Sequence, residues 1–254
     1  MSSKVVYLIT GANRGIGFGL TAVLAARPNT IVFAGTRDPA AQSLKDLAAK
    51  YPNVHAVKLT SGDKADNEAA IAEIQKTAGQ LDVIIANAGI SNYYGPLATT
   101  PISEFQDHYS VNTIGPIVLF QAAHALLLLA SPTRAPIFAV ISSLAGSIGG
   151  YFPLHAAAYG ASKAAANFLV KVLDDEHPSL ISLAIHPGWV ATDMGNMGAV
   201  ASGMPHAPVG VEDSVAGILS RVDGATREKS SGRFWNFGIT EGNPWDIQTD
   251  EVLW

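Results

Sequence analysis

The chain has 254 residues, 48% of them apolar, with a formal net charge of −5 and no cysteine. The weakly acidic balance, without a basic run, speaks against a nucleic-acid partner. The lack of cysteine excludes a disulfide framework, a thiolate nucleophile and a cysteine metal site.

The start, MSSKVVYL, runs almost directly into a predicted strand and is too short for a signal peptide, so a cytoplasmic location is expected. Val5 to Ile9 is an apolar run that stops at Thr10. Gly11, Gly15 and Gly17 follow, and apolar residues resume at helical spacing at Ile16, Leu20 and Leu24. This reads as strand, tight turn and helix, the opening of a dinucleotide-binding half. Glycine lets phosphate oxygens approach the backbone, and a helix N-terminus offers free N–H groups and partial positive charge.

The first helix is predicted over about 15–26 and is broken by Pro28 and Asn29. Thr30 to Ala34 is the second strand, a turn spans Gly35 to Pro39, and a helix covers about 40–51. Val54 to Leu59 is the third strand, and Asp63 to Asn67 opens a helix reaching about Ala78. Leu81 to Ala86 is the fourth strand, with Asn87, Ala88 and Gly89 at its carboxyl end. A helical region from Pro101 bends near Gly115 and Pro116 and ends near Leu129. Its apolar stretch contains Pro116, Gln121 and His124, so it reads as a buried or interface helix rather than a membrane span.

Pro136 to Ile141 is the fifth strand, ending in Ser142 and Ser143, and a glycine-rich loop, Gly146 to Pro153, leads to a helix over about 156–176. Leu180 to Ile185 is the sixth strand, ending in His186, Pro187 and Gly188. A helix over 211–222 and a short strand, Gly232 to Phe237, complete the pattern. Strand and helix alternate without a linker, which predicts a single α/β domain over 1–254. Its expected core is a doubly wound, mostly parallel sheet of the Rossmann type with helices on both faces and right-handed crossovers.

In such sheets ligands sit beyond the carboxyl ends of the strands. The candidates there are Gly11 to Gly17, Thr36 and Arg37, Leu59 and Thr60, Asn87 to Gly89, Ser142 and Ser143, and Pro187 and Gly188. Arg37 follows the second strand, where an adenosine ribose would lie, and Arg14 projects from the glycine loop. A guanidinium forks onto a 2′-phosphate, so NADP(H) is favoured. Asp38 follows immediately and could reach a free ribose hydroxyl, which leaves NAD(H) as the alternative.

Tyr159 and Lys163 are four apart and rise on one helix face. A tyrosine hydroxyl with a pKa near 10 is a poor acid–base group at neutral pH. A nearby ammonium favours the phenolate and lowers that pKa, and the tyrosine could then hand a proton to an alkoxide as hydride reaches a carbonyl carbon. Ser143 can donate to the substrate oxygen. Asn112, a polar residue in an apolar run, could hold a water against the lysine.

These segments resemble the short-chain dehydrogenase/reductase family. The resemblance rests on Thr10-Gly11-Ala12-Asn13-Arg14-Gly15-Ile16-Gly17, on Asn87-Ala88-Gly89, on Asn112, Ser143, Tyr159 and Lys163, and on Pro187-Gly188 followed by Val190 and Thr192. It implies a catalytic tetrad in which Tyr159 is the general acid and Lys163 binds the nicotinamide ribose and lowers the tyrosine pKa. Ser143 then polarises the carbonyl, Asn112 supports a water-linked relay, and Thr192 touches the carboxamide. Within the family the chain is most similar to the sniffer-like carbonyl reductases and to fungal ketoreductases of the norsolorinic acid type. Two features depart from the family pattern. Leu59-Thr60-Ser61 stands where many members have an aspartate facing the adenine, and the segment from Ser143 to Tyr159 is longer than usual.

That longer segment is expected to line the substrate pocket, together with Ile90, Ser91, Tyr93, Tyr94, Tyr151, Phe152, His155, Trp189, Met194 and Met197. Aromatic and methionine side chains make an apolar, adaptable wall, and no cationic clamp is among them, so a neutral, bulky ketone or aldehyde is the expected substrate. Residues 189–210 supply a substrate loop, with 195–210 expected as a short mobile lid. No histidine pairs with acids at ligand spacing, and no metal is expected. Ala158, Ala161, Ala165 and Ala166 would suit close packing across a homodimer axis or on the sheet.

Overall fold

The computed structural model describes residues 4–129, 134–238 and 249–254. Seven strands pair in parallel in the order β3-β2-β1-β4-β5-β6-β7. They are β1 Val5–Thr10, β2 Thr30–Thr36, β3 Val54–Lys58, β4 Val83–Ala86, β5 Ile137–Ile141, β6 Ile181–His186 and β7 Arg233–Asn236. The helices are α1 Gly15–Ala25, α2 Gln42–Lys50, α3 Lys64–Ala78, α4 Ile102–Tyr109, α5 Gly115–Leu128, α6 Ala157–Glu176, α7 Asp193–Ala201, α8 Val211–Asp223 and α9 Arg227–Ser230. The strand order reverses between β1 and β4, and a crevice opens at that point.

The sheet is buried on both faces, which explains why β1 reads as a continuous apolar run. Tyr7 and Ile9 join Leu20 and Leu24 of α1 and Ile218 of α8 in one core cluster. Val6 and Leu8 join Ile74 of α3, Leu127 of α5 and Val170 of α6 in the other. Each such aliphatic side chain stabilises the fold by roughly 1.5–3 kcal/mol.

Several boundaries differ from expectation for local reasons. β2 runs on through Gly35 and Thr36, because Gly35 pairs with Thr10 and Thr36 with Lys58. Just before Gly115 and Pro116, where a bend is expected, the helix passes through a π-helical turn, Ser110–Ile114, and Pro116 then sits in the first turn of α5, where a missing N–H costs little. The helical run Ile102–Leu128 is long and apolar enough to cross a membrane by length and composition. It is interrupted by that turn, and Leu119, Ala123, Leu126 and Leu127 are buried on the sheet, so it is a core element.

The segment 195–210, expected as a lid, carries the unforeseen helix α7. Thr192 caps it, its hydroxyl accepting from Gly195 N at 3.1 Å. The segment closes on itself where Ala191 N donates to Val209 O and Val209 N to Trp189 O, at 2.8 and 3.0 Å. Its glycines serve close packing: a Cβ at Gly198 would lie 2.7 Å from the Tyr94 hydroxyl. Residues 249–254 cover the outer edge of β7, with Asn236 N bonded to Asp250 O and Val252 N to Phe234 O.

Candidate active site

The crevice above β1 and β4 is a groove of about 600 Å³. The glycine loop forms one wall. Gly11 and Gly15 have φ of 65° and 54°, the left-handed region that glycine tolerates. A Cβ at Gly17 would collide with the Gly11 carbonyl oxygen, so Gly17 lets helix and loop touch and does not itself line the groove. Asn13, Arg14, Gly15 and Ile16 do line it. Arg14 caps α1 in extended conformation without a side-chain cap bond, and the first turn holds no acid, so the helix N–H groups face the groove unneutralised.

The loop is tied to the end of β4. The Thr10 hydroxyl accepts from Asn87 N and Ala88 N at 3.0 and 2.9 Å, and Asn87 Nδ2 donates to Thr10 O at 2.9 Å. Asn87, Ala88 and Gly89 form the groove floor. At the far end stand Thr36, Arg37, Leu59 and Thr60. Arg37 is exposed and makes no hydrogen bond or ion pair among the described residues. Asp38 does not line the groove. Its carboxylate accepts from Ala40 N at 2.9 Å and shapes the next turn. Arg14 differs from Arg37 in having a partner, Asp193 at 3.2 Å, across the groove mouth.

At the opposite end the groove meets a second pocket of about 370 Å³. Tyr159 lines both, as do Pro187 and Met194. The short turn Leu144–Gly146 after β5 lies directly against α6. A Cβ at Gly146 would approach the Lys163 backbone to 2.7 Å, and one at Gly160 would approach Ala145 O equally closely. These two close approaches bring Ser143 beside Tyr159, near enough for the serine hydroxyl to act on that of the tyrosine. The neighbouring serine turns inward instead, Ser142 Oγ donating to Asn167 Oδ1. Strand alternation thus leaves Ser143 facing the pocket.

Burial pushes the Tyr159 hydroxyl up to about 12, against the lowering effect of the nearby Ser143 hydroxyl. The expected depression by Lys163 is not seen. Lys163 Nζ lies 5.8 Å from the tyrosine ring centroid and donates to Ile141 O at 2.7 Å. Burial lowers the ammonium itself to about 8. Lys163 is buried and lines the groove, and its remaining N–H donors have no partner among the described residues.

Asn112 lies in the π-helical turn, fully buried. Its Oδ1 accepts from Ile90 N at 2.8 Å, and its Nδ2 donates to Ile90 O and to Ser162 Oγ at 2.9 and 3.0 Å. Its amide donors are therefore engaged in holding the strap after β4 beside Lys163, rather than directed at the lysine.

Of the expected wall residues, Ser91, Tyr94, Phe152, Trp189 and Met194 line the 370 Å³ pocket. Five fall outside it, and of these Ile90 lines the groove instead. Tyr151 is 76% exposed and Met197 48% exposed. Tyr93 packs on Gly95, and His155 is exposed in a left-handed turn with φ of 49°, its carbonyl accepting from Gly95 N. The longer segment, expected on the wall, contributes Leu144 and Leu154 there, and His186 joins them although its residue type and position did not mark it for the wall. Gly188 lines this pocket rather than the groove, Val190 is buried and lines neither, and Thr192 lines the groove.

His186 is buried, its Nδ1 accepting from Leu144 N at 3.2 Å, and burial drives its pKa down to about 4. The unfolded chain, with a histidine near 6.5, therefore holds the extra proton between pH 4 and 6.5. Stability from this group is complete above 6.5 and is lost as pH falls toward 4, by about 3 kcal/mol in all. Denaturant melts from pH 4 to 7 should show His186→Asn, whose amide oxygen can replace Nδ1, with a shallower acid slope than wild type. Parallel slopes would contradict a neutral buried His186.

The family profile described as short chain dehydrogenase matches residues 4–199. The chain belongs to the short-chain dehydrogenase family. It is therefore an oxidoreductase of the kind that uses a nicotinamide dinucleotide on carbonyl or alcohol groups. This dehydrogenase is 40% identical over 241 residues to the norsolorinic acid ketoreductase nor1 of Dothistroma septosporum, covering 92% of this chain and 90% of that one. The NADPH-bound carbonyl reductase from chicken fatty liver superposes with a TM-score of 0.81 at 33% identity, over 93% of this chain and 97% of that chain. The carbonyl reductase Sniffer of D. melanogaster superposes with a TM-score of 0.85 at 28% identity, over the whole of both chains.

Proposed function

We propose that this short-chain dehydrogenase is an NADPH-dependent carbonyl reductase that takes a neutral, bulky ketone or aldehyde. The observation that carries the reading is the position of Tyr159, at the junction of a dinucleotide-sized groove and an apolar pocket, with Ser143 beside it on the pocket wall. The groove fits the cofactor. Glycines 11, 15 and 89 leave its backbone bare, α1 presents uncapped N–H groups, Lys163 keeps free donors for ribose hydroxyls, and Arg37 is available for a 2′-phosphate. The choice of NADPH is further supported by the cofactor bound to the chicken relative.

When bound, the nicotinamide supplies a hydride. The chain's own residues do the rest. Ser143 donates to the carbonyl oxygen and fixes its place. Tyr159, kept as the neutral phenol by its high pKa, gives its proton to that oxygen as negative charge develops there. Lys163, cationic below about pH 8, turns its free donors to the groove, where the ribose hydroxyls of the dinucleotide would lie. Asn112 holds Ile90 and thereby the groove floor next to Lys163. Thr192 holds the start of α7 over the groove.

Leu144, Leu154, Phe152, Trp189 and Met194 give the pocket an apolar wall, and no lysine or arginine lines it. Initial rates of NADPH oxidation with 1-tetralone and butanone test the reading. Faster turnover per KM with the bicyclic ketone is expected, and NADH should be the poorer donor. Tight NADPH binding with no turnover on a panel of neutral ketones and aldehydes would sink it.

The chain is further proposed to pair as a homodimer through α4, α5 and α6. Ala158 and Ala166 are already buried within the chain, but Tyr109, Ile114 and Phe168 remain exposed at 42%, 41% and 68%. Light scattering at micromolar concentration should give twice the chain mass, and a single-chain mass would contradict the pairing.

A further inference from the structure

The site contains a buried histidine to which the proposed reaction gives no role. His108, near the end of α4, is 0% exposed. Its Nδ1 lies 2.6 Å from Glu104 O on its own helix, with the Glu104 carboxylate 3.7 Å away. Its Nε2 accepts from Asn92 N at 3.2 Å. Asn92 stands between Ser91 and Tyr94, which line the substrate pocket and whose hydroxyls meet at 2.9 Å. The ring of His108 also meets the ring of Tyr159 edge-on, with centroids 6.4 Å apart and planes at 72°.

These contacts fix the chemistry of the ring. A backbone N–H can only donate, so Nε2 must be a bare acceptor. A carbonyl oxygen can only accept, so Nδ1 must carry the hydrogen. The ring is thus neutral and in one tautomer, with both nitrogens engaged. One face of its work points to the wall loop and one edge to the reacting tyrosine.

We propose that His108 is a positioning residue with two separable effects: its Nε2 holds the Ser91–Tyr94 wall loop against α4, and its ring holds Tyr159 in line with the pocket. The proposal rests on the carbonyl reductase reading. It concerns binding of the ketone through the loop and proton delivery through the tyrosine, so it predicts a split that loss of folded protein alone cannot give. His108→Phe keeps a ring beside Tyr159 and removes the acceptor for Asn92. His108→Gln supplies an acceptor oxygen near the place of Nε2 and removes the ring.

With NADPH and 1-tetralone, His108→Phe should raise KM about tenfold with kcat within about threefold of wild type, since Asn92 N loses its acceptor and the wall loop its tie to α4. His108→Gln should do the reverse, lowering kcat about tenfold with KM nearly unchanged. Active-site concentration is set by NADPH titration, which corrects for misfolded protein. Equal changes of kcat and KM in the two variants, or no change in either, would overturn the proposal. Nitrogen NMR of the ring at neutral pH gives a readout without turnover. A protonated Nδ1 and an unprotonated Nε2 are expected, and the opposite tautomer or a doubly protonated ring would overturn the proposal. Tyr159→Phe run alongside separates the cases: if that variant reduces the ketone normally, it is the reductase mechanism that fails.

Discussion

Tyr159→Phe should lose turnover by about 10²–10⁴-fold while binding NADPH within about twofold of wild type. The range is that of a positioned general acid. Phenylalanine keeps the ring that meets His108 and removes only the hydroxyl, so the groove and pocket should keep their shape. The high pKa sharpens the expectation. A hydroxyl held up to about 12 is protonated throughout the neutral range, which suits a proton donor in reduction. The same group is poorly set to act as a base in alcohol oxidation. The forward rate should therefore show no loss from tyrosine ionisation up to pH 9. An alkaline loss through about pH 8 would instead report Lys163, whose ammonium deprotonates there. Carbonyl reduction by Tyr159→Phe at near wild-type rate would remove the tyrosine from the mechanism.

Arg37→Ala should weaken NADPH by roughly tenfold to a hundredfold and leave NADH within about twofold, because charge-assisted hydrogen bonds to a phosphate contribute about 1.5–3 kcal/mol. Arg37 is suited to this role because no other group of the described chain engages it, whereas Arg14 already faces Asp193. The site is exposed, so the NADPH preference should also shrink as salt rises. Fluorescence titration with both cofactors checks this. Equal loss for both would take Arg37 out of the phosphate site.

Much of this architecture is legible in the sequence because it depends on local rules. The apolar runs of β1, β4 and β5, the break at Pro28 and Asn29, and the glycine loop each declare themselves within a few residues. The rule that ligands lie beyond strand ends then collects Gly11, Arg37, Asn87 and Ser143 without further information. What stayed hidden depends on contacts far apart in the chain. Helix α7 is rich in glycine and alanine, and its reason to fold is the Thr192 cap and the closure of Val209 onto Trp189. Tyr94 and Phe152, which line the pocket, immediately follow Tyr93 and Tyr151, which do not, and only the turn of the loop decides which side chain faces it. Lys163 shows a third limit. Its spacing from Tyr159 is correct for contact, yet its ammonium is drawn to Ile141 O, so its effect on the tyrosine could not be read from spacing alone. His108, one turn before Asn112, carries no sequence signal that separates it from a surface histidine, although a lone histidine in the run Phe105 to Tyr109 could have prompted the question of what it faces.

The central claim is that hydride passes to a carbonyl carbon in the pocket beside Tyr159. The most direct test is to reduce 1-tetralone with NADPH deuterated at the nicotinamide C4 and to locate the label in the product by mass and proton NMR. The account predicts an alcohol with one deuterium on the carbinol carbon, formed by wild type and not by Tyr159→Phe. An unlabelled alcohol, or labelled alcohol made equally well by both proteins, would contradict it.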